Sequence, residues 1–296
     1  MIKLQATHGD FWAMEHRRFE LLSDLVAEAS WDNIRLVQDG AVAAQRQRLR
    51  QRVARTAVIP MVGPIEHRPS LFSWLGLGTS TQLAGEAFDE AIADKSVQAV
   101  VLEVDSPGGT VDGVPELAAK IASARGSKPI ISISNSMMAS AGLWIGTAAD
   151  MVWAIPSADV GSMGAWSLHM DESAALADEG LVPTIISAGE FKTEGNPFEP
   201  LSDPARAEMQ RRVDEIYGDF VKTVAKHRGV TAKQAEANFG RGRTMSAQDA
   251  KSAGLIDKVG TFEDLLGKFG TSPKAVRTRA GDWEQKLLAR RIGDRA

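Results

Sequence analysis

No cysteine occurs in the 296 residues. Disulfides and thiolate-held metals are excluded, and nothing indicates an oxidising compartment. Histidine is scarce, five in all, and tyrosine occurs once. The opening stretch MIKLQATHGDFWAMEHRRFELLSDLVAE has no uninterrupted apolar run long enough for a signal sequence or a membrane span. A cytoplasmic protein with no membrane partner is therefore expected. The net charge of −4 supplies no global basic field, so nucleic acid is not an expected partner. Arg46, Arg48, Arg50, Arg52 and Arg55 do crowd residues 46–55, but a charge run alone more often marks a solvated helix face or a subunit contact.

Apolar residues make up 44% and charged residues 24%, an ordinary balance with enough apolar surface for a core. One main domain with appendages suits this length. Residues 1–55 are read as a helical N-terminal extension, 56–270 as the main domain and 271–296 as a polar tail. From Thr56 an α/β rhythm begins. TAVIPMVGPI (56–65), VQAVVLEVDS (97–106), KPIISISNS (128–136), MVWAIPSADV (151–160) and LVPTIIS (181–187) read as strands. AGEAFDEAIAD (84–94), VPELAAKIASAR (114–125), SAGLWIGTAAD (140–150), 172–180 and 202–229 read as helices. HRPSLFSWLGLGTST (67–81) reads as a loop with aromatics. The alternation predicts an α/β fold with right-handed crossovers and a mainly parallel sheet.

Three loops follow apolar strands, namely DSPGG (105–109), NSMMAS (135–140) and AGEFK (188–192). Sites in parallel sheets gather at such strand ends. Ser140 stands where a strand gives way to a short helix, with small neighbours that leave room for a substrate. A serine nucleophile needs a base. His169 and Lys192 are the two candidates. Lysine has an ordinary pKa of ~10.4, so as a base it needs a desolvating environment. The bland alternatives are a packing role for Ser140 and an ordinary exposed loop position for Lys192.

VVLEVDSPGG, SMMASAGLWIGTAADMVWAIPSADVGSMGAW, GEFKTEGNPFEPLS and GRTMSAQDAKSAGLIDKVGTFEDLL, in that order, resemble the signal peptide peptidase A family of serine–lysine peptidases. The likeness runs from Val58 to Leu266, about seven-tenths of the chain. It implies a Clp/crotonase-like fold of repeated β-β-α units. It also implies a serine peptidase with Ser140 as nucleophile, Lys192 as general base and Ser162 holding the lysine amine. The oxyanion hole would use the N–H groups of Gly109 and Ala141, with no metal or cofactor. One departure is Ser-Ala-Gly where the family commonly shows Ser-Gly-Gly, which matters if the second position needs positive φ.

Without an N-terminal anchor, the sequence resembles the soluble head-maturation proteases of tailed phages and prophages. That implies a homo-oligomeric ring with sites sometimes shared between neighbours. It also implies capsid or scaffold proteins as partners, in host cytoplasm or procapsid interior. A bacterial housekeeping peptidase, a crotonase-like acyl-CoA enzyme and an inactive assembly scaffold are the other readings.

Overall fold

The computed structural model describes residues 11–14, 45–69, 73 and 77–269 of the 296. In chain order the strands are β1 (Phe11–Met14), β2 (Gln51–Val53), β3 (Thr56–Val62), β4 (Ile65–Glu66), β5 (Thr79–Ser80), β6 (Ala99–Ser106), β7 (Gly108–Thr110), β8 (Ile130–Ala139), β9 (Met151–Ala154), β10 (Asp159–Gly161), β11 (Trp166–Ser167), β12 (Thr244–Ser246) and β13 (Lys258–Val259). The helices are α1 (Thr81–Ala93), α2 (Val114–Ser123), α3 (Ala141–Gly146), α4 (Ser173–Asp178), α5 (Asp203–Arg228), α6 (Ala232–Asn238), α7 (Ala247–Ser252) and α8 (Phe262–Gly267).

The larger sheet has the order β12–β10–β8–β6–β3–β2, with β9 beside β8 and β13 beside β9. The pairs β3–β6, β6–β8, β8–β9, β8–β10 and β9–β13 are parallel, and only the edges β2 and β12 run antiparallel. This is the expected α/β class with a mainly parallel sheet. The apolar runs of β6 and β8 follow from burial on both faces. One face carries the main core, including Leu102, Val104, Ile130, Leu143 and Trp144. The other carries a smaller cluster in which Val101, Ile133 and Trp153 meet Leu265 and Leu266 of α8. A second, five-stranded sheet has the order β11–β1–β7–β4–β5.

Capping side chains set the helix ends. Ser80 Oγ accepts from Leu83 N–H to open α1, and Ser202 Oγ accepts from Ala205 N–H to open α5. Gly229, at φ 67°, closes α5. The apolar stripe of α5 is buried at Phe220, Val221 and Val224, while Met209 and Val213 are only half-buried.

Several expectations are corrected. Residues 181–187 form no strand. Their β-branched content finds no ladder partner among the described residues, and Val182 and Ile186 are 88% and 94% exposed. Residues 151–160 are two strands, because the turn that bonds Ala158 N–H to the Ile155 carbonyl interrupts them. Within the extension read as helical, residues 11–14 and 51–53 are strands, and 45–49 are helical. The rest of that extension, Phe72, Trp74 and the tail 271–296 lie outside the described residues. The arginine-rich segment lies along α1: Arg46 pairs with Glu86, Arg50 with Glu90 and Arg52 with Asp94.

Candidate active site

β8 ends at Ala139, and the next residue turns the chain into α3. That residue, Ser140, has φ 54° and ψ −118°. For a residue with a Cβ this is a strained conformation, costing of order 1–3 kcal/mol, and such outliers persist where the surroundings over-determine them. The surroundings are visible. Ser140 N–H donates to the Gly161 carbonyl at 2.9 Å, and its own carbonyl accepts from Trp144 N–H at 2.9 Å. Its hydroxyl makes no capping bond to α3, and the residue is 1% exposed.

α3 is fixed at its other end and along its side. The Arg125 guanidinium donates to the carbonyls of Thr147, Ala148 and Ala149, each at 2.8 Å. A cation there suits the negative end of the helix. The Trp144 ring stacks on Phe220 of α5 at 4.3 Å between centroids. A Cβ on Gly146 would lie 2.5 Å from Met138 Sδ, so glycine lets α3 press against β8.

Ser162 follows β10 as Ser140 follows β8. It has φ 55°, it is 9% exposed, and its N–H donates to the Arg243 carbonyl at 2.8 Å. Gly161, before it, has φ 136°, and a Cβ there would stand 2.6 Å from that same carbonyl oxygen. The GSMG run thus makes a turn only glycine allows, and it places Ser162 next to the Ser140 turn.

β7 carries Gly109, fully flanked in the small sheet. A Cβ on Gly109 would fall 1.8 Å from the Ile65 carbonyl oxygen, so no side chain fits. The preceding turn is held by Ser106, whose hydroxyl donates to the Gly63 carbonyl at 2.7 Å and accepts from Gly108 N–H at 3.1 Å. α3 packs on both β6 and β7, which sets the DSPGG turn beside the start of α3. Ala141 is fully buried in the first turn of α3 and is not among the residues of positive φ. The Ser-Ala-Gly departure therefore imposes no backbone conflict.

The candidate bases lie apart. Lys192 is exposed in the loop 188–200, where its N–H donates to the Gly189 carbonyl at 3.2 Å. No hydrogen bond among the described residues joins its ammonium to Ser140 or Ser162. His169 bonds through Nε2 to the Asn196 carbonyl at 2.9 Å. A carbonyl only accepts, so Nε2 carries the proton, and His169 anchors the lysine loop. WSLHM is a strand only at Trp166 and Ser167. The structure thus brings together Ser140, Ala141, Ser162 and the Gly109 turn, and leaves Lys192 outside. Sequence reading missed Ser106, Arg125 and the Arg243 carbonyl. Only Ser106 had a signal, as the polar residue ending a buried strand before Pro-Gly-Gly.

The sequence pattern of peptidase family S49 matches residues 122–274, a span that holds Ser140, Ser162 and Lys192. The chain belongs to peptidase family S49. It is 30% identical over 227 residues to the capsid assembly protease C of Escherichia phage lambda, covering 75% of this chain and 50% of that one. It is 27% identical over 242 residues to the head-tail preconnector protein of Enterobacteria phage P21, covering 78% and 48%. It is 32% identical over 180 residues to protease 4 of Salmonella typhi, covering 60% and 29%. The chain spans about half the length of the two phage relatives. The family is consistent with a Clp/crotonase-like fold, and the resemblance drawn from the motifs is thereby shown. Among the described residues no helix is long and apolar enough to cross a membrane.

Proposed function

We propose that this protein is a serine endopeptidase whose nucleophile is Ser140. The observation that carries the reading is the strained turn at Ser140, with φ 54° and a hydroxyl not engaged in capping, beside a turn of glycines. Ser140 Oγ attacks the scissile carbonyl, and the neutral Lys192 amine takes its proton. The N–H groups of Gly109 and Ala141 hold the oxyanion. Lys192 then protonates the leaving amine, and water attacks the acyl-enzyme with the same lysine as base. Ser162 orients the lysine amine. Gly108 N–H already bonds to Ser106 Oγ, which supports Gly109 as the donor from that turn.

The amine must be desolvated to be neutral, and in the single chain Lys192 is exposed. Assembly supplies the burial: copies of the chain pack so that loop 188–200 covers Ser140 and Ser162. The exposed run of Leu181, Val182, Ile185, Ile186 and Phe191 supports a contact between copies, because monomers rarely leave so apolar a stretch in water. The phage relatives support capsid or scaffold proteins as substrates, cut in the host cytoplasm or inside a procapsid.

The test is cleavage of unfolded casein and of co-expressed neighbour proteins by wild type, Ser140→Ala and Lys192→Ala from mildly acidic to alkaline pH. Loss in both variants, with a wild-type rate that rises with pH, is expected. Retained cleavage in Lys192→Ala with loss in His169→Ala would transfer the base role to histidine.

A further inference from the structure

β1 comes from the N-terminal extension, yet it lies in the middle of the small sheet. It pairs antiparallel with β7 on one side, with Trp12 opposite Thr110, Ala13 opposite Gly109 and Met14 opposite Gly108. On the other side it pairs antiparallel with β11, with Phe11 opposite Ser167 and Trp12 opposite Trp166. Take β1 away, and β7 and β11 present two facing edges one strand apart. Strands in a sheet lie about 4.8 Å from their neighbours, so such a gap admits an extended backbone and bonds it on both edges.

The direction of β1 ties this gap to the chemistry. The segment runs from Thr110 towards Gly108, past the glycine assigned to the oxyanion. Ala13, opposite Gly109, and Met14, opposite Gly108, lie at the end of β7 that adjoins the Ser106–Gly108 turn, and α3 packs against that strand directly after Ser140. An extended peptide in this register presents a carbonyl to the turn where Ser140 begins α3. We propose that residues 11–14 occupy the strand that a peptide substrate takes, so that the chain holds its own site filled until this segment is displaced. This rests on the peptidase reading above.

Ala13 lies inside the paired segment, opposite Gly109 of β7, so proline there fixes φ and sets its ring against the ladder. The first measurement needs no activity. In the full chain carrying Ser140→Ala, amide hydrogen exchange is followed at residues 108–110 and 166–167, with and without Ala13→Pro. Exchange in both stretches rises about tenfold or more when the proline is present. A synthetic peptide with the sequence of residues 9–16 restores the protection, which shows that the gap itself remains folded. Unchanged exchange would overturn the proposal.

The second measurement uses the Ser140 chain and a quenched fluorescent peptide. Ala13→Pro lowers KM about tenfold with kcat unchanged, since only the competing segment is lost, and the 9–16 peptide inhibits competitively. A KM that stays put while exchange rises would mean that β1 docks outside the substrate strand, and the proposal fails. Exchange that responds in a protein that cuts nothing would leave the docking in place and sink the peptidase reading instead.

Discussion

Ala139 and Gly161 are register partners in the parallel pair β8–β10, and the residue after each is a serine with positive φ, Ser140 at 54° and Ser162 at 55°. Two adjacent parallel strands thus end at the same level, each followed by a serine of positive φ. The Ser140 N–H bond to the Gly161 carbonyl locks the two turns together. The ladder, not a flexible loop, sets the separation of the two serines. The strain at both positions is maintained by the sheet that joins them.

That strain is measurable at Ser140. Alanine and glycine both remove the hydroxyl, but only alanine keeps a Cβ in the positive-φ region. Ser140→Gly is expected to be more stable than Ser140→Ala by about 1 kcal/mol, read by urea denaturation at constant m-value. Both are expected to be inactive. Equal midpoints would show that the turn relaxes freely once the hydroxyl is gone.

Lys192 offers a test of how the site is completed. Ser140→Ala and Lys192→Ala proteins are each expected to be inactive. If the loop of one copy covers the serines of the next, co-refolding equal amounts restores activity to about a quarter of wild type, the chance that an intact serine meets an intact lysine. Activity that stays at zero in the mixed assembly would place both residues of each site in one chain.

The motifs around Ser140, Gly109 and Ser162 were legible as sequence, and so were the buried strands β6 and β8 and the capped ends of α5. Their mutual placement was not. The run 151–160 looks like one strand, and nothing local reveals that a turn at 155–158 splits it so that β9 and β10 pair with different halves of β8. Residues 181–187 have strand composition, but a strand also needs a partner, and the described residues provide none. FWAM at 11–14 has no strand alternation, and only its non-local pairing with β7 and β11 makes it β1. Arg125 reaches carbonyls 22 to 24 residues away, a contact that no local pattern encodes.

Arg125 should matter for that reason. Its guanidinium satisfies three carbonyls of residues that are almost fully buried, Thr147, Ala148 and Ala149. Arg125→Ala leaves those acceptors without their charged donor, and a loss of about 2–4 kcal/mol is expected. Calorimetry should show Tm lower by roughly 5–10 °C for a domain of this size. Arg125→Lys should recover only part of it, because one ammonium cannot match the planar fork that reaches three carbonyls. A Tm within a degree or so of wild type would mean that water replaces the guanidinium at little cost.

His227 gives the stability its acid limb. Burial, and then the cations Arg125, Lys226 and Arg228, hold its imidazole down to about 4, against an ordinary value of about 6.5. The unfolded chain therefore binds the proton more readily between those two values. The contribution of His227 is fully present above about pH 6.5 and declines as the pH falls towards 4. The Thr147 hydroxyl donates to the Trp144 carbonyl at 3.1 Å, so its oxygen receives the His227 Nδ1–H at 3.2 Å. Glutamine keeps a donor for that oxygen without taking up a proton. Wild type is expected to lose a few degrees more in Tm than His227→Gln between pH 7 and pH 4.5, with solvent access to the ring moderating the difference. Parallel melting curves for the two proteins across that range would show that His227 titrates alike in the folded and unfolded chain.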